Sequence, residues 1–211
     1  EFIREKQWEI DLVDDKESLL KAGSEVNWNP KSMKARYDDW VKNIQWNWGI
    51  SRQRYFGIPF PVWYCKDCGE TVLAKEEHLP VNPLSTNPNE PCPCCGGTEF
   101  EPEKDVMDTW ATSSLTPLIN ADWAKDENGE MMKKIYPMSL RANAHDIIRT
   151  WDFYTIAKGL YHTGKLPWKD IMIAGHVLAQ KGEKISKSKC NSGMEPEKLL
   201  EQYSADAIRY W

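Results

Sequence analysis

The chain has 211 residues, 41% of them hydrophobic and 28% charged, with a formal net charge of −5. That is the composition of a water-soluble globular chain, long enough for one substantial core or one core plus a small satellite. No apolar run approaches the roughly 20 residues that span a bilayer, the opening EFIREKQWEI has no secretion-signal pattern, and the acidic balance excludes a nucleic-acid grip spread over the whole surface. A cytoplasmic protein with no membrane partner is expected.

Up to about residue 25 the sequence is mixed and charged, with no strong period. From Asn29 the spacing predicts a helix: Asn29 can cap, Pro30 suits the first turn, and Met33, Tyr37, Trp40, Val41 and Ile44 share one face. Residues 58–63, IPFPVW, read as extended. Residues 65–100 are rich in Cys, Pro, Gly and Asn and cannot build their own core, so something else must hold them. Residues 105–119, DVMDTWATSSLTPLI, return to core-like composition, and a charged loop, AKDENGEMMKK, follows. YPMSLRANAHDIIRTWDFYTIAKGLYHTGK then reads as a strand, a short loop and a long helix, with Ile147, Ile148, Trp151, Tyr154, Ile156 and Leu160 as its apolar face and Gly164 as terminator.

The run IMIAGHVLA, 171–179, suits a buried parallel strand. A lysine-rich loop and two helical segments, PEKLLEQYS and SADAIRYW, complete the chain. Strands alternating with helices imply an α/β sheet with parallel strands and right-handed crossovers. Of the eleven tryptophans, Trp8, Trp28, Trp40, Trp46, Trp48 and Trp168 are expected to pack in the core or between domains.

Five of the six cysteines lie between Cys65 and Cys95. Cys65-Lys66-Asp67-Cys68-Gly69 and Cys92-Pro93-Cys94-Cys95-Gly96 are two C-x-x-C-G knuckles with 23 residues between the pairs. Each knuckle brings two thiolates to one ion, and its glycine lets the chain turn back. Cys65, Cys68, Cys92 and Cys95 are therefore the expected ligands of a tetrahedral structural Zn2+, with Cys94 spare. Four protein ligands leave no open position, so the metal is not expected to be catalytic.

The stretch GHVLAQKGEKISKSKCN places Lys184, Lys187 and Lys189 among small hydroxyls directly after an apolar run. Ammonium groups at the carboxyl edge of a parallel sheet sit where α/β proteins bind phosphates, and lysines on a mobile loop can follow charge developing on a leaving pyrophosphate. A solvated basic loop is the ordinary reading of such a stretch; the order of the residues argues otherwise.

Gly182-Glu183-Lys184-Ile185-Ser186-Lys187-Ser188-Lys189 resembles the K-M-S-K-S signature of class I aminoacyl-tRNA synthetases, with Ile185 in place of Met. Asn47 to Pro59, NWGISRQRYFGIP, resembles the W-x-I-S-R-Q-R-x-x-G-x-P stretch of the valyl, isoleucyl and leucyl group. Asp105-Val106-Met107-Asp108-Thr109-Trp110, with Ser113 and Ser114, resembles the D-V-x-D-T-W-x-S-S element. His145-Asp146-Ile147-Ile148-Arg149-Thr150-Trp151, followed by Phe153 and Tyr154, is most similar to the valyl branch; an isoleucyl member would tend to show G-x-D-Q there.

The resemblance, which runs from about Lys6 to the last residue, implies an α/β fold: the C-terminal half of a Rossmann-like nucleotide-binding domain with an inserted zinc ribbon. Residues 1–63 would start that half after an editing insertion, 64–100 would be the ribbon, and 101–211 would carry the rest with the KISKS loop. The implied reaction activates valine with ATP and Mg2+ to valyl-adenylate and transfers the valyl group to tRNA(Val), by a protein expected to be a monomer. Lys184 and Lys187 would contact the triphosphate in the transition state, Ser186 and Ser188 would shape the loop, and Gly175, His176 and Val177 would lie against the adenine. Asp146 would face the ribose or the substrate's polar groups, and Trp110 and Ile147 would wall the amino-acid pocket. The resemblance leaves Arg52 and Gln53 without a firm role.

The family's other signature, H-x-G-H, is absent, as is anything similar to the editing domain, so the chain reads as a fragment with half a nucleotide site. Ala144 and Cys190 stand where glycine is usual. Two other readings are an isoleucyl enzyme and a non-catalytic zinc-ribbon nucleic-acid-binding module. HDIIRTW argues against the first, and the ordered DTW, HDIIRTW and KISKS segments against the second.

Overall fold

The computed structural model describes residues 6–179, 182–192 and 195–210. The chain opens with β1 (Glu9–Ile10) and α1 (Lys16–Glu25), which buries Leu19, Ala22 and Gly23. The unpatterned first 25 residues thus contain a helix, held by its partners rather than by a strong period of its own. β2 (Asn27–Asn29) follows, then a 3-10 turn over Lys31–Met33 and α2 (Lys34–Asn43). The helix expected from Asn29 starts later, because Asn29 is committed to a sheet ladder; Met33 precedes α2 without a capping side chain. Tyr37 and Val41 are its buried residues, as the spacing predicts. α2 packs against α1 at Gly23, where an added Cβ would lie 2.2 Å from the Tyr37 ring. The Tyr37 hydroxyl donates to the Leu19 carbonyl at 2.9 Å.

Short strands carry the chain across the top of this core. β3 (Trp48–Gly49) pairs antiparallel with β1. β4 (Ser51–Arg52) is followed by β5 (Val62–Cys65), β6 (Thr71–Leu73) and β7 (Phe100–Pro102), which form an antiparallel sheet in the order β6-β5-β7. β8 (Val106–Met107) returns to pair with β4. Glu103 anchors this excursion, accepting from the Trp8 indole at 2.9 Å, the Tyr64 hydroxyl at 2.5 Å and the backbone N–H groups of Lys104 and Asp105. α3 (Thr109–Ser113), α4 (Thr116–Asn120) and α5 (Glu130–Ile135) come next, with Leu118, Ala121, Met132 and Tyr136 as a small satellite cluster.

The long α/β unit is β9 (Met138–Ala144), a 3-10 turn over His145–Ile147, a π-helical turn over Ile148–Asp152, α6 (Phe153–Thr163) and β10 (Trp168–Ala174). Gly164 ends α6 in the left-handed region at φ 66°, which glycine reaches without steric cost. The main sheet is parallel, in the order β2-β10-β9. Its core brings Trp28, Tyr37, Phe153, Ile156, Trp168 and Ile171 together. α7 (Pro196–Gln202) and α8 (Ala205–Tyr210) follow the lysine loop.

Two expectations need correction. The run 171–179 is not one strand: pairing ends at Ala174, and Val177 and Leu178 are 60% and 52% exposed, because β9 also ends at Ala144 and leaves no ladder beyond it. Trp46, expected to pack, is 71% exposed, since it lies on the connection between α2 and β3. Among the described residues no helix is long and apolar enough to cross a membrane.

Candidate active site and metal centre

Parallel strands that end in register leave a crevice at their carboxyl ends. Ala144 of β9 faces Ala174 of β10, so two short segments emerge side by side: His145-Asp146-Ile147 and Gly175-His176-Val177. The His145 and His176 rings lie 4.6 Å apart, centroid to centroid. Asp146 and Gly175 are exposed, and Ile147 is half-buried against the core. A Cβ on Gly175 would meet nothing within 4 Å. Packing inside the chain therefore does not require glycine there, and the backbone is exposed at the strand end.

The lysine loop is a built structure. Leu178 bridges back to Lys184, and Gly182 turns at φ 72°. Ser186 caps the 3-10 turn Lys187–Lys189: its Oγ accepts from the Lys189 N–H at 3.2 Å and lies 3.1 Å from Ser188 Oγ. Asn191 staples the loop, its Oδ1 accepting from the Ser186 N–H at 2.9 Å and its Nδ2 donating to the Lys184 carbonyl at 3.1 Å. Cys190 adopts the left-handed conformation, φ 47° and ψ 35°. Glycine reaches that region freely and a cysteine does not, which gives a backbone reason for the glycine usual at this place. Lys189 pairs with Glu183 at 3.8 Å. Among the described residues, Lys184 and Lys187 make no ion pair and their side chains are exposed.

Trp110 sits on α3, 38% exposed, at the rim of a cleft of about 580 Å³ that also meets Trp46, Trp48, Arg52, Asp108 and Tyr154. α3 meets the π-helical turn where the Trp151 indole donates to the Ser113 carbonyl at 3.2 Å. Trp110 and the turn carrying Ile147 are thereby held on neighbouring elements. The residues without a firm role from sequence are tethers here. Arg52 donates to the carbonyls of Gly49 and Ser51 and lies 3.5 Å from the buried Asp108 carboxylate. Gln53 donates to Asp105 at 2.7 Å. Together they tie β4 to β8 and to the start of α3.

The four knuckle cysteines converge. The sulfurs of Cys65, Cys68, Cys92 and Cys95 all lie within 4.8 Å of one another, with Cys65–Cys95 and Cys68–Cys92 each at 3.6 Å. A tetrahedral ion with metal–sulfur bonds of roughly 2.3 Å sets its ligand sulfurs ~3.8 Å apart, so the quartet fits a metal ion. Both knuckles turn the same way: Gly69 and Gly96 take φ 75° and 77°, and their N–H groups donate to the carbonyls of Cys65 and Cys92 at 2.8 Å. Cys94 is exposed and outside the quartet.

Sequence reasoning passed over three features near the crevice: His145 beside His176, Asn191 as the staple of the lysine loop, and a polar cluster of Arg141, Asn143 and Asp152 under the π-helical turn. The last left a trace, since Asp152 interrupts an otherwise apolar helical face.

The chain has recognisable relatives. The family model described as tRNA synthetases class I (I, L, M and V) matches residues 1–211. The chain is 48% identical over 211 residues to a valine–tRNA ligase of Thermoplasma acidophilum, covering 100% of this chain and 26% of that protein. It is 50% identical over 217 residues to a valine–tRNA ligase of Rickettsia felis, covering 100% and 25%. The chain thus spans about a quarter of the length of the curated relatives it matches. Among solved structures, a ternary complex of a leucyl synthetase from Agrobacterium radiobacter with tRNA and LeuAMS aligns with a TM-score of 0.59 at 28% identity, covering 78% of this chain and 23% of that one. Methionyl-tRNA synthetase of Mycobacterium tuberculosis bound by methionyl-adenylate aligns with a TM-score of 0.66 at 20% identity, covering 98% and 32%, a likeness of fold. With the family model covering every residue, this chain belongs to the class I tRNA synthetases of the isoleucyl, leucyl, methionyl and valyl group.

Proposed function

We propose that this chain is part of an enzyme that activates valine with ATP and charges tRNA(Val). The observation that carries the reading is the 48–50% identity, over the whole of this chain, to proteins named valine–tRNA ligase. Residues 1–63 and 101–211 belong to the second half of the catalytic nucleotide fold, and 64–100 form a zinc-ribbon insertion.

In the first step a carboxylate oxygen of valine attacks the α-phosphorus of Mg·ATP in line, and the bond to pyrophosphate breaks. Charge grows on the leaving group, and catalysis is positioning plus stabilisation of that charge. Lys184 and Lys187 supply it from a loop whose form Ser186 and Ser188 set. The open backbone at Gly175 and the neighbouring His176 and Val177 receive the adenine. Asp146 takes the ribose or the substrate's polar groups, and Trp110 and Ile147 wall the valine pocket. In the second step a ribose hydroxyl of the terminal adenosine of tRNA attacks the acyl carbon and AMP leaves. An apolar pocket separates valine from a homologue one methylene different by only about 1–3 kcal/mol, so discrimination needs help from outside these residues.

Zn2+ at Cys65, Cys68, Cys92 and Cys95 would supply folding energy to a segment without a core and take no part in the chemistry. The reading carries with it a cytoplasmic monomer. Amino-acid-dependent ATP–pyrophosphate exchange by the full-length protein tests it. Exchange with valine well above isoleucine supports the assignment; preference for isoleucine, or no exchange with any amino acid, overturns it.

A further inference from the structure

Asp152 is fully buried, 0% exposed, at the end of the π-helical turn. Its Oδ1 accepts from the Asn143 side-chain amide, and its Oδ2 has no partner among the described residues. Asn143 in turn accepts from Arg141 through Nε and Nη2, both at 3.1 Å. Arg141 and Asn143 are alternate residues of β9, so they share a face of the sheet. That is the face whose register partners Ile171 and Ile173 are buried. The guanidinium lies 4.4 Å from the centre of the Trp151 ring. Trp151 stacks on Trp168 at 5.5 Å and 12°, and donates to Ser113 at the end of α3.

A buried acid group joined through an amide to a half-buried guanidinium is a poor way to stabilise a core, because burying such polar groups carries a desolvation cost that apolar residues would not incur. What the arrangement does provide is direction. The contacts Asp152–Asn143–Arg141–Trp151–Ser113 run from the far end of the segment 145–151 back to β9 and on to the end of α3. They clamp the end of β9, the turn that carries Asp146 and Ile147, and the helix that carries Trp110.

We infer that Asp152 is a positioning residue for the amino-acid pocket: through Asn143 and Arg141 it fixes the placement of the Asp146–Ile147 turn against Trp110. It touches no substrate, and the inference rests on the pocket roles proposed above. A residue acting in this way affects the amino acid and leaves the nucleotide, held by the other strand end and the lysine loop, largely untouched.

The test is valine-dependent pyrophosphate exchange by the full-length protein carrying Asp152→Ala or Asp152→Asn. Asp152→Ala is expected to raise KM for valine tenfold or more and to change KM for ATP less than twofold. Asp152→Asn keeps the acceptor for Asn143 and is expected to restore KM for valine to within about threefold. An unchanged KM for valine in Asp152→Ala, or equal rises for valine and ATP, overturns the inference. Arg141→Met, which removes the guanidinium from Trp151 and keeps the stem, is expected to reproduce the valine defect if Asp152→Ala does not fold; a valine KM unchanged in Arg141→Met overturns the inference too. If the unsubstituted protein shows no exchange with valine, the proposed function fails, and the positioning role is then judged by NMR on this chain. Shifts of the Trp151 indole N–H and the Asp146 and Ile147 amides in Asp152→Ala support it, and unchanged resonances sink it.

Discussion

The charge state of Asp152 is coupled to folding, and Asp152→Asn measures the coupling. Burial pushes this carboxyl up from 3.8 to about 7, against the pull of the Asn143 hydrogen bond and the Arg141 cation, with the Asp146 carboxylate adding to the rise. Between about pH 4 and pH 7 the folded chain keeps a proton that the unfolded chain has released. Stability therefore falls as pH rises through that window and levels off above it. A rise from 3.8 to about 7 corresponds to about 4 kcal/mol, at ~1.4 kcal/mol for each tenfold change in acidity. Asparagine cannot ionise and keeps an acceptor for Asn143, so the variant lacks the loss. Urea unfolding followed by tryptophan fluorescence, at steps from pH 4.5 to pH 8.5, reads the difference between the two proteins; the titrations they share, including those of the cysteines, cancel. The titration contributes about 1 kcal/mol to the difference at pH 4.5 and about 4 kcal/mol at pH 8, so the difference is expected to grow by about 3 kcal/mol in favour of Asp152→Asn across the range. A difference that stays flat with pH, or that favours the unsubstituted chain at pH 8, would refute the reasoning.

Four further outcomes are expected. Glu103→Ala removes the acceptor shared by Trp8, Tyr64 and two backbone N–H groups and should cost about 2–3 kcal/mol in denaturant unfolding, with the 64–100 segment losing amide protection first. Gly23→Ala puts a Cβ 2.2 Å from a Tyr37 ring that is itself pinned by its hydroxyl, and should lower stability by about 2 kcal/mol or more; a neutral result would mean that the α1–α2 contact gives way easily. If the four-cysteine cluster holds the proposed metal, a chelator should expose four additional reactive thiols and abolish amide protection over 64–100 while leaving most of the far-UV signal of the parallel sheet and its helices; complete loss of that signal would contradict a separation of residues 64–100 from the core. In the full-length protein, Lys184→Ala and Lys187→Ala should depress adenylate formation at least a hundredfold with valine binding little changed, and Asn191→Ala, which removes the staple of the loop, should cost about tenfold in the same step. Equal losses in valine binding would count against a role confined to the transition state.

Features written into contiguous residues were legible before any coordinates. The two C-x-x-C-G knuckles specify their own turns, since the spacing sets two sulfurs on one side and the glycine admits the positive φ that both show. The strand and helix of 138–163, with Gly164 as terminator, follow from a local apolar period and one residue's conformational freedom. The K-I-S-K-S segment takes the form of a loop in which Ser186 caps a 3-10 turn.

What only the tertiary structure decided lies in contacts between residues far apart in the chain. α1 and α2 pack closely because Gly23 leaves room for the Tyr37 ring. β10 stops at Ala174, despite the apolar residues that follow, because its neighbour β9 stops at Ala144. Arg52 and Gln53 are tethers because β8, more than fifty residues on, comes back to them. Asp152 joins Asn143, and through it Arg141 and Trp151, only because β9 lies against the turn that carries it. Local conformation follows from steric and hydrogen-bonding preferences carried by a few neighbouring residues. Register, strand ends and buried polar networks depend on which distant groups arrive, and a linear pattern does not encode that arrival.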